Sequence, residues 1–113
     1  MRAQNDRSQE MLQLFTPPLN TGGTTIAAGA AAAALQAIPA SLDDPARVVS
    51  AIALNTTLTD AYFRFTSGAN NAAVGDMYIE PNVNNYFGVP SGATHISVFS
   101  TVGGNIRLVP ISA

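Results

Sequence analysis

The sequence predicts an all-β chain: an antiparallel β-sandwich, jelly-roll or immunoglobulin-like, preceded by an extended N-terminal arm. Three observations predict it. From Arg47 onward, short apolar segments recur about 8–12 residues apart with Gly, Pro and Asn between them, a spacing typical of sandwiches and barrels. Several of these segments alternate. Phe63 and Phe65 oppose Tyr62, Arg64 and Thr66, and Ile96 and Val98 oppose His95, Ser97 and Phe99, so a period of two turns one set inward and the other outward. Residues 1–24 follow neither rule, which divides the chain into an arm (1–24) and a sandwich domain (25–113).

At 113 residues the chain is one domain with a modest core. The net charge is −2 and the five basic residues, all Arg, are scattered. Neutralising a polyanion needs clustered cations, so nucleic acid is not an expected partner. With no cysteine, disulfides and Cys-based metal sites are excluded. Charged residues make up 11% of the chain, against roughly 25% in ordinary soluble domains. The surface is therefore built largely of Asn, Thr, Ser, Gln and Ala, groups that lose less than charges do on desolvation. Such a surface suits a protein that lives against partners, and equally a low-charge soluble sandwich.

The arm begins with polar residues (Arg2, Asp6, Arg7, Glu10) and lacks the basic-then-apolar order of a signal peptide. Met11, Leu12, Leu14 and Phe15 form an apolar knot, and Thr16-Pro17-Pro18 imposes an extended path, because proline and the residue before it avoid helix. Gly22-Gly23 adds a joint. Alone, this segment buries too little apolar surface to offset its ordering entropy. Either it is unanchored, or Leu12, Leu14 and Phe15, with Pro17 and Pro18, dock on a neighbour; the apolar residues favour docking.

Ile26 to Ile38 reads IAAGAAAAALQAI. Alanine favours helix, but Gly29, the nearby Pro39 and the lack of a polar face oppose one. The stretch is also shorter than the ~20 apolar residues that cross a bilayer, and no membrane partner is expected. We read it as a strand whose small side chains pack closely on a neighbouring sheet or subunit. Ser41-Leu42-Asp43-Asp44-Pro45 forms a turn, since Ser and Asp bond nearby backbone and Pro45 presets φ. A Val-rich strand follows from Arg47 to Thr56, then strands at Ala61–Phe65, Met77–Glu80, Tyr86–Val89, His95–Phe99 and Ile106–Ile111. Pro81 and Pro90 are placed to blunt two sheet edges.

No catalytic constellation emerges, and the chain is not expected to be an enzyme or to hold a metal or cofactor. His95 is the single histidine and is read as a solvent-facing strand residue; one imidazole without cysteine does not make a zinc site. Ser91, Ser97, Asp60 and Asp76 could supply other members of a triad, but no Gly-x-Ser-x-Gly elbow is present. Asp76 and Glu80 are four apart in a segment that is not helical, and Asp43-Asp44 is followed by Pro45 rather than alternating oxygen ligands. Gly22-Gly23 and Gly103-Gly104 lack the strand–glycine–helix setting of a phosphate cradle. Among the aromatics, which mostly occupy core positions, Tyr62 and Tyr86 are the best placed to face outward.

From Ala28 to Ala113 the order of motifs resembles a group of small β-sandwich virion proteins of tailed bacteriophages, of the capsid decoration or cement type. The residues that carry the resemblance are the Val-rich strand ending in Asn55-Thr56-Thr57, the Ala61-Tyr62-Phe63-Arg64-Phe65 strand closed by Gly68, and Asp76-Met77. Pro90 to Ala93, Ile96-Ser97-Val98 and the late Val109-Pro110 complete it. It covers about three-quarters of the chain, and residues 1–25 depart from it. The resemblance implies a structural, non-enzymatic protein made in the host cytoplasm and carried on the outer capsid surface of the virion. Its implied partners are the major capsid protein and further copies of itself, as a homotrimer. A neck or tail component fits the same pattern. From a different class, an adhesive or carbohydrate-binding module would use loop aromatics with Asn70, Asn71, Asn84 and Asn85.

Overall fold

Among residues 23–112, the part of the chain that the computed structural model describes, eight strands form and no helix. They are β1 (Thr24–Ala28), β2 (Ala34–Ala37), β3 (Ala51–Thr56), β4 (Ala61–Thr66), β5 (Met77–Ile79), β6 (Asn85–Gly88), β7 (His95–Ser100) and β8 (Gly104–Ser112). Sheet I has the order β1-β8-β3-β6 and sheet II the order β2-β7-β4-β5. All-β, with two antiparallel four-stranded sheets packed together, is the fold class expected from the alternation.

The pairing has a simple logic. β1 pairs with β8, β2 with β7, β3 with β6 and β4 with β5, all antiparallel. The chain is thus one long ribbon, doubled back between β4 and β5 and coiled so that successive segments fall in alternate sheets. Contacts of β3 with β8 and of β4 with β7 close the coil. This is the strand order of a jelly roll. The immunoglobulin alternative, in which three strands face four, does not describe it.

The core lies between the sheets. Ile52 and Leu54 of β3, Phe63 of β4, Ile79 of β5, Ile96 and Val98 of β7, and Ile106 and Leu108 of β8 are buried at every second position, as the period of two demands. Phe63 is the centre of an aromatic group, 5.3 Å from Phe65 edge-on and 4.6 Å from Phe87 between ring centroids. Each such fully buried side chain contributes about 1.5–3 kcal/mol by leaving water.

Three local expectations change. The alanine-rich stretch 26–38 is not one strand but two, β1 and β2, which belong to different sheets and are joined by a bend over 29–33. Gly29 makes the crossing: a Cβ there would sit 1.9 Å from the carbonyl oxygen of Ala32, and only glycine tolerates that approach. Small side chains are what let the chain leave one sheet and join the other so abruptly. The Val-rich strand begins at Ala51 rather than Arg47. Val48 makes only an isolated bridge to Ala40, because the Ser41–Pro45 turn precedes it. There the Ser41 hydroxyl accepts from Asp43 and Asp44 N–H at 3.2 and 3.3 Å, and Arg47 N–H donates to Asp44 O at 2.9 Å. The third change is Ser97, placed outward by the alternation of β7 and yet fully buried; its cover is described below. The sandwich starts at Thr24, one residue before the boundary drawn from sequence. The arm residues Leu12, Leu14, Phe15, Pro17 and Pro18 lie outside the described residues.

Candidate functional site

The ribbon sorts its connections to two ends. Those after β2, β4 and β6 gather where residue 23 enters β1, the entry end, and those after β1, β3, β5 and β7 gather at the far end. This separates the groups that could have made a triad. His95 opens β7 at the entry end, half-buried, with its Nδ1 2.7 Å from the Thr94 hydroxyl. At the other end of β7 the Ser100 hydroxyl donates to Asp60 at 2.8 Å. Five residues of strand, roughly 17 Å, separate the imidazole from that pair. Asp76 and Glu80 flank β5 at its opposite ends. Among the described residues no three His, Cys, Asp or Glu side chains gather as a metal-binding group.

The outer face of sheet II is where the chain has built most. The 67–76 connection folds back over it and is tied down by side chains. Ser97 donates to Asn70 Oδ1 at 2.8 Å and accepts from Ala72 N–H at 3.0 Å, and the Asn70 amide reaches Ala33 O at 2.7 Å. Arg64 donates to Asp76 Oδ1 at 2.6 and 3.1 Å, and Ala73 N–H donates to Asp76 Oδ2 at 2.9 Å. The Arg64 hydrogen bonds, then the Ala73 amide, hold the Asp76 carboxyl below the usual carboxylate range, against the opposing effect of burial. Next to this cover, Phe99, Tyr62 and Tyr78 stand opposite one another across three strands. The Tyr62 and Tyr78 rings are 5.8 Å apart, tilted by 59°, and Tyr78 is 45% exposed with its hydroxyl donating to Thr59 O at 2.8 Å.

Sheet I is different. Its outer face carries one polar row, Thr25–Arg107–Asn55, and beside it an apolar row, Val109–Ala53–Tyr86. Ala51 and Ile111 extend the apolar part toward the entry end, and Ala51, Ala53 and Ile111 form a cluster separate from the core, with Val109 packed on it. Tyr86 is 40% exposed.

The two tyrosines singled out from sequence therefore face away from each other, Tyr62 on sheet II and Tyr86 on sheet I, and do not form one site. The partner that Tyr62 does have, Tyr78, was missed. The signal was available: a hairpin turning about residue 70 sets residue 62 against residue 78. The asparagines are mostly engaged within the fold. Asn85 bonds Glu80, Val83 and Leu54 backbone, Asn84 accepts from Asn55 at 2.8 Å, and Asn70 holds the sheet II cover. Pro81 and Pro90 stand just after β5 and β6, each an edge strand of its sheet.

At the entry end the β2–β3 and β6–β7 connections enclose an open cleft of about 690 Å³ lined by Ser41, Val89, Pro90, Ser91 and Thr94, with Asp44 and Arg47 at its rim. Those two charges pair with each other at 3.5 Å and are exposed. Among the described residues, the two outer faces offer apolar and amide groups for contact. The chain matches no family model, no curated protein and no solved structure.

Proposed function

We propose that this chain is a structural virion protein of a tailed phage, a decoration or cement subunit that binds the major capsid protein and acts as a homotrimer on the outer capsid surface. The observation that carries the reading is the ribbon topology, since eight-stranded jelly rolls recur in viral capsid and lectin domains. The low charge and the motif order from Ala28 to Ala113 support the capsid side of that pair. Fold does not fix function, so the test is binding. Full-length chain should co-sediment with capsid shells of its phage, and Leu14→Asp with Phe15→Asp should weaken that attachment while leaving the far-UV β signal unchanged. Undiminished attachment would remove the arm from the reading, and no attachment of the parent chain would remove the capsid. Light scattering should give the mass of three chains.

The lectin side of the same fold supplies a second reading, a carbohydrate-binding module. It is favoured by one observation, the Tyr62–Tyr78 pair on an exposed face. A glycan array with no hits sinks it.

A further inference from the structure

The outer face of sheet I changes character within one strand-row, from Thr25–Arg107–Asn55 to Val109–Ala53–Tyr86. An antiparallel sheet with one face in water alternates apolar-in and polar-out, and the first row obeys this while the second does not. Ala51, Ala53 and Ile111 point away from the core and yet expose only 5%, 4% and 3% of their surface. Among the described residues, Ile111 packs with Ala51, Ala53 and Val109, and across from Ala51 stands Gly88, which has no side chain to add to the cover. On its other side β1 has already ended, because Thr24 pairs with Leu108 and β8 runs on to Ser112.

We propose that this apolar half-face is the seat of the chain's own apolar knot, Leu12, Leu14 and Phe15. Three things select that occupant. The chain enters β1 at the same end as the strip, since Thr24 stands opposite Leu108 and β8 runs on past it to Ser112. It is long enough: the eight residue-to-residue steps from Phe15 to Gly23 span about 26 Å extended, and the strip from β8 to β6 is two strand spacings wide, about 10 Å. Gly22-Gly23 supplies the joint that lets the chain reverse over the sheet. A tether this short also holds the knot at roughly millimolar effective concentration, which a second copy or another protein must exceed to displace it. The alanines serve the seat by lying flat, so that Leu14 and Phe15 can approach the sheet closely. This inference concerns the free chain and does not rest on the virion reading.

The test uses the full chain. It contains no cysteine, so Gln13→Cys carries a single nitroxide label next to the knot without removing an anchor. In isotope-labelled protein, the amide signals of Ala53, Val109 and Ile111 should fall to less than half their reduced-label height, while those of Val98 and Ile79 in sheet II should not. Adding Leu14→Asp and Phe15→Asp to the labelled chain should restore them. A mixed sample, with isotope on one set of molecules and nitroxide on another, should show no attenuation. Attenuation in the mixed sample, making a second copy the occupant, overturns the proposal. So does an absence of attenuation, an even attenuation over both sheets, or attenuation that survives the two aspartates. Because no capsid is present, these outcomes are independent of whether the chain attaches to one.

Discussion

Both sheets bury residues on the face turned away from the shared core, but sheet II does so with directed bonds and sheet I with small apolar side chains. Over sheet II, Ser97 both donates and accepts, Asn70 bridges β7 and the bend that precedes β2, and Arg64 with Asp76 pins the C-terminal part of the 67–76 connection. Over sheet I, Ala51, Ala53, Val109 and Ile111 form an unbonded patch. Hydrogen bonds fail individually and abruptly when a partner is lost, because the orphaned group keeps its desolvation cost. Apolar contact is non-directional and degrades with area. The first kind of cover is specific to one segment; the second accepts any apolar occupant of about the right size.

The comparison breaks most completely at what the two faces share. Phe63→Ala empties the aromatic centre between the sheets and should cost about 3–5 kcal/mol, read as a lower urea midpoint; a loss under half of that would mean the sheets do not depend on one core. Next comes Ala53→Leu. If the sheet I strip is closely covered, the added methylenes should destabilise by about 1–3 kcal/mol. A neutral or stabilising result would show an open face and remove the seat proposed above. Ser97→Ala tests the bonded cover and should cost about 1–3 kcal/mol, since Ala72 N–H and Asn70 Oδ1 both lose their partner. Hydrogen exchange should quicken at Ala72 and not at Ala53. The smallest effect belongs to Asp76→Asn. Arg64 is about half exposed, so the pair is worth no more than about 1 kcal/mol. Its sign is fixed by the direction of the shift. The folded carboxyl is held below its unfolded value near 3.9, so the stabilisation is fully present above that value. It should disappear as pH falls through the lowered folded value. Parent and variant curves should therefore converge in acid; a difference that persists there would point to lost packing rather than lost charge.

The strands that alternate were legible, β4 above all, because a half-buried strand writes its two faces into successive residues. The Ser41–Pro45 turn was legible for the same local reason. What failed to show was whatever depends on a distant segment. Ser97 reads as outward and solvated because its cover arrives from residues 67–76. Ile26 to Ile38 reads as one strand because nothing local says that Gly29 faces the Ala32 carbonyl. The strand order was closed to sequence reading altogether, since it joins β1 to β8 across the whole domain. Of the surfaces, the outward placement of Tyr62 and Tyr86 was readable from parity, but their separation onto opposite sheets was not.

That joining of first strand to last has a consequence in time. During synthesis β1 leaves the ribosome early and has no sheet partner until Leu108 has been made. Until then its apolar residues Ile26 and Ala28 are unmatched, while β4 and β5 can already meet as a hairpin. Pairings between residues so far apart in the chain place folding in the millisecond-to-second range of non-local β proteins. The β1–β8 pairing is therefore the one that cannot begin until nearly all of the described chain has been made.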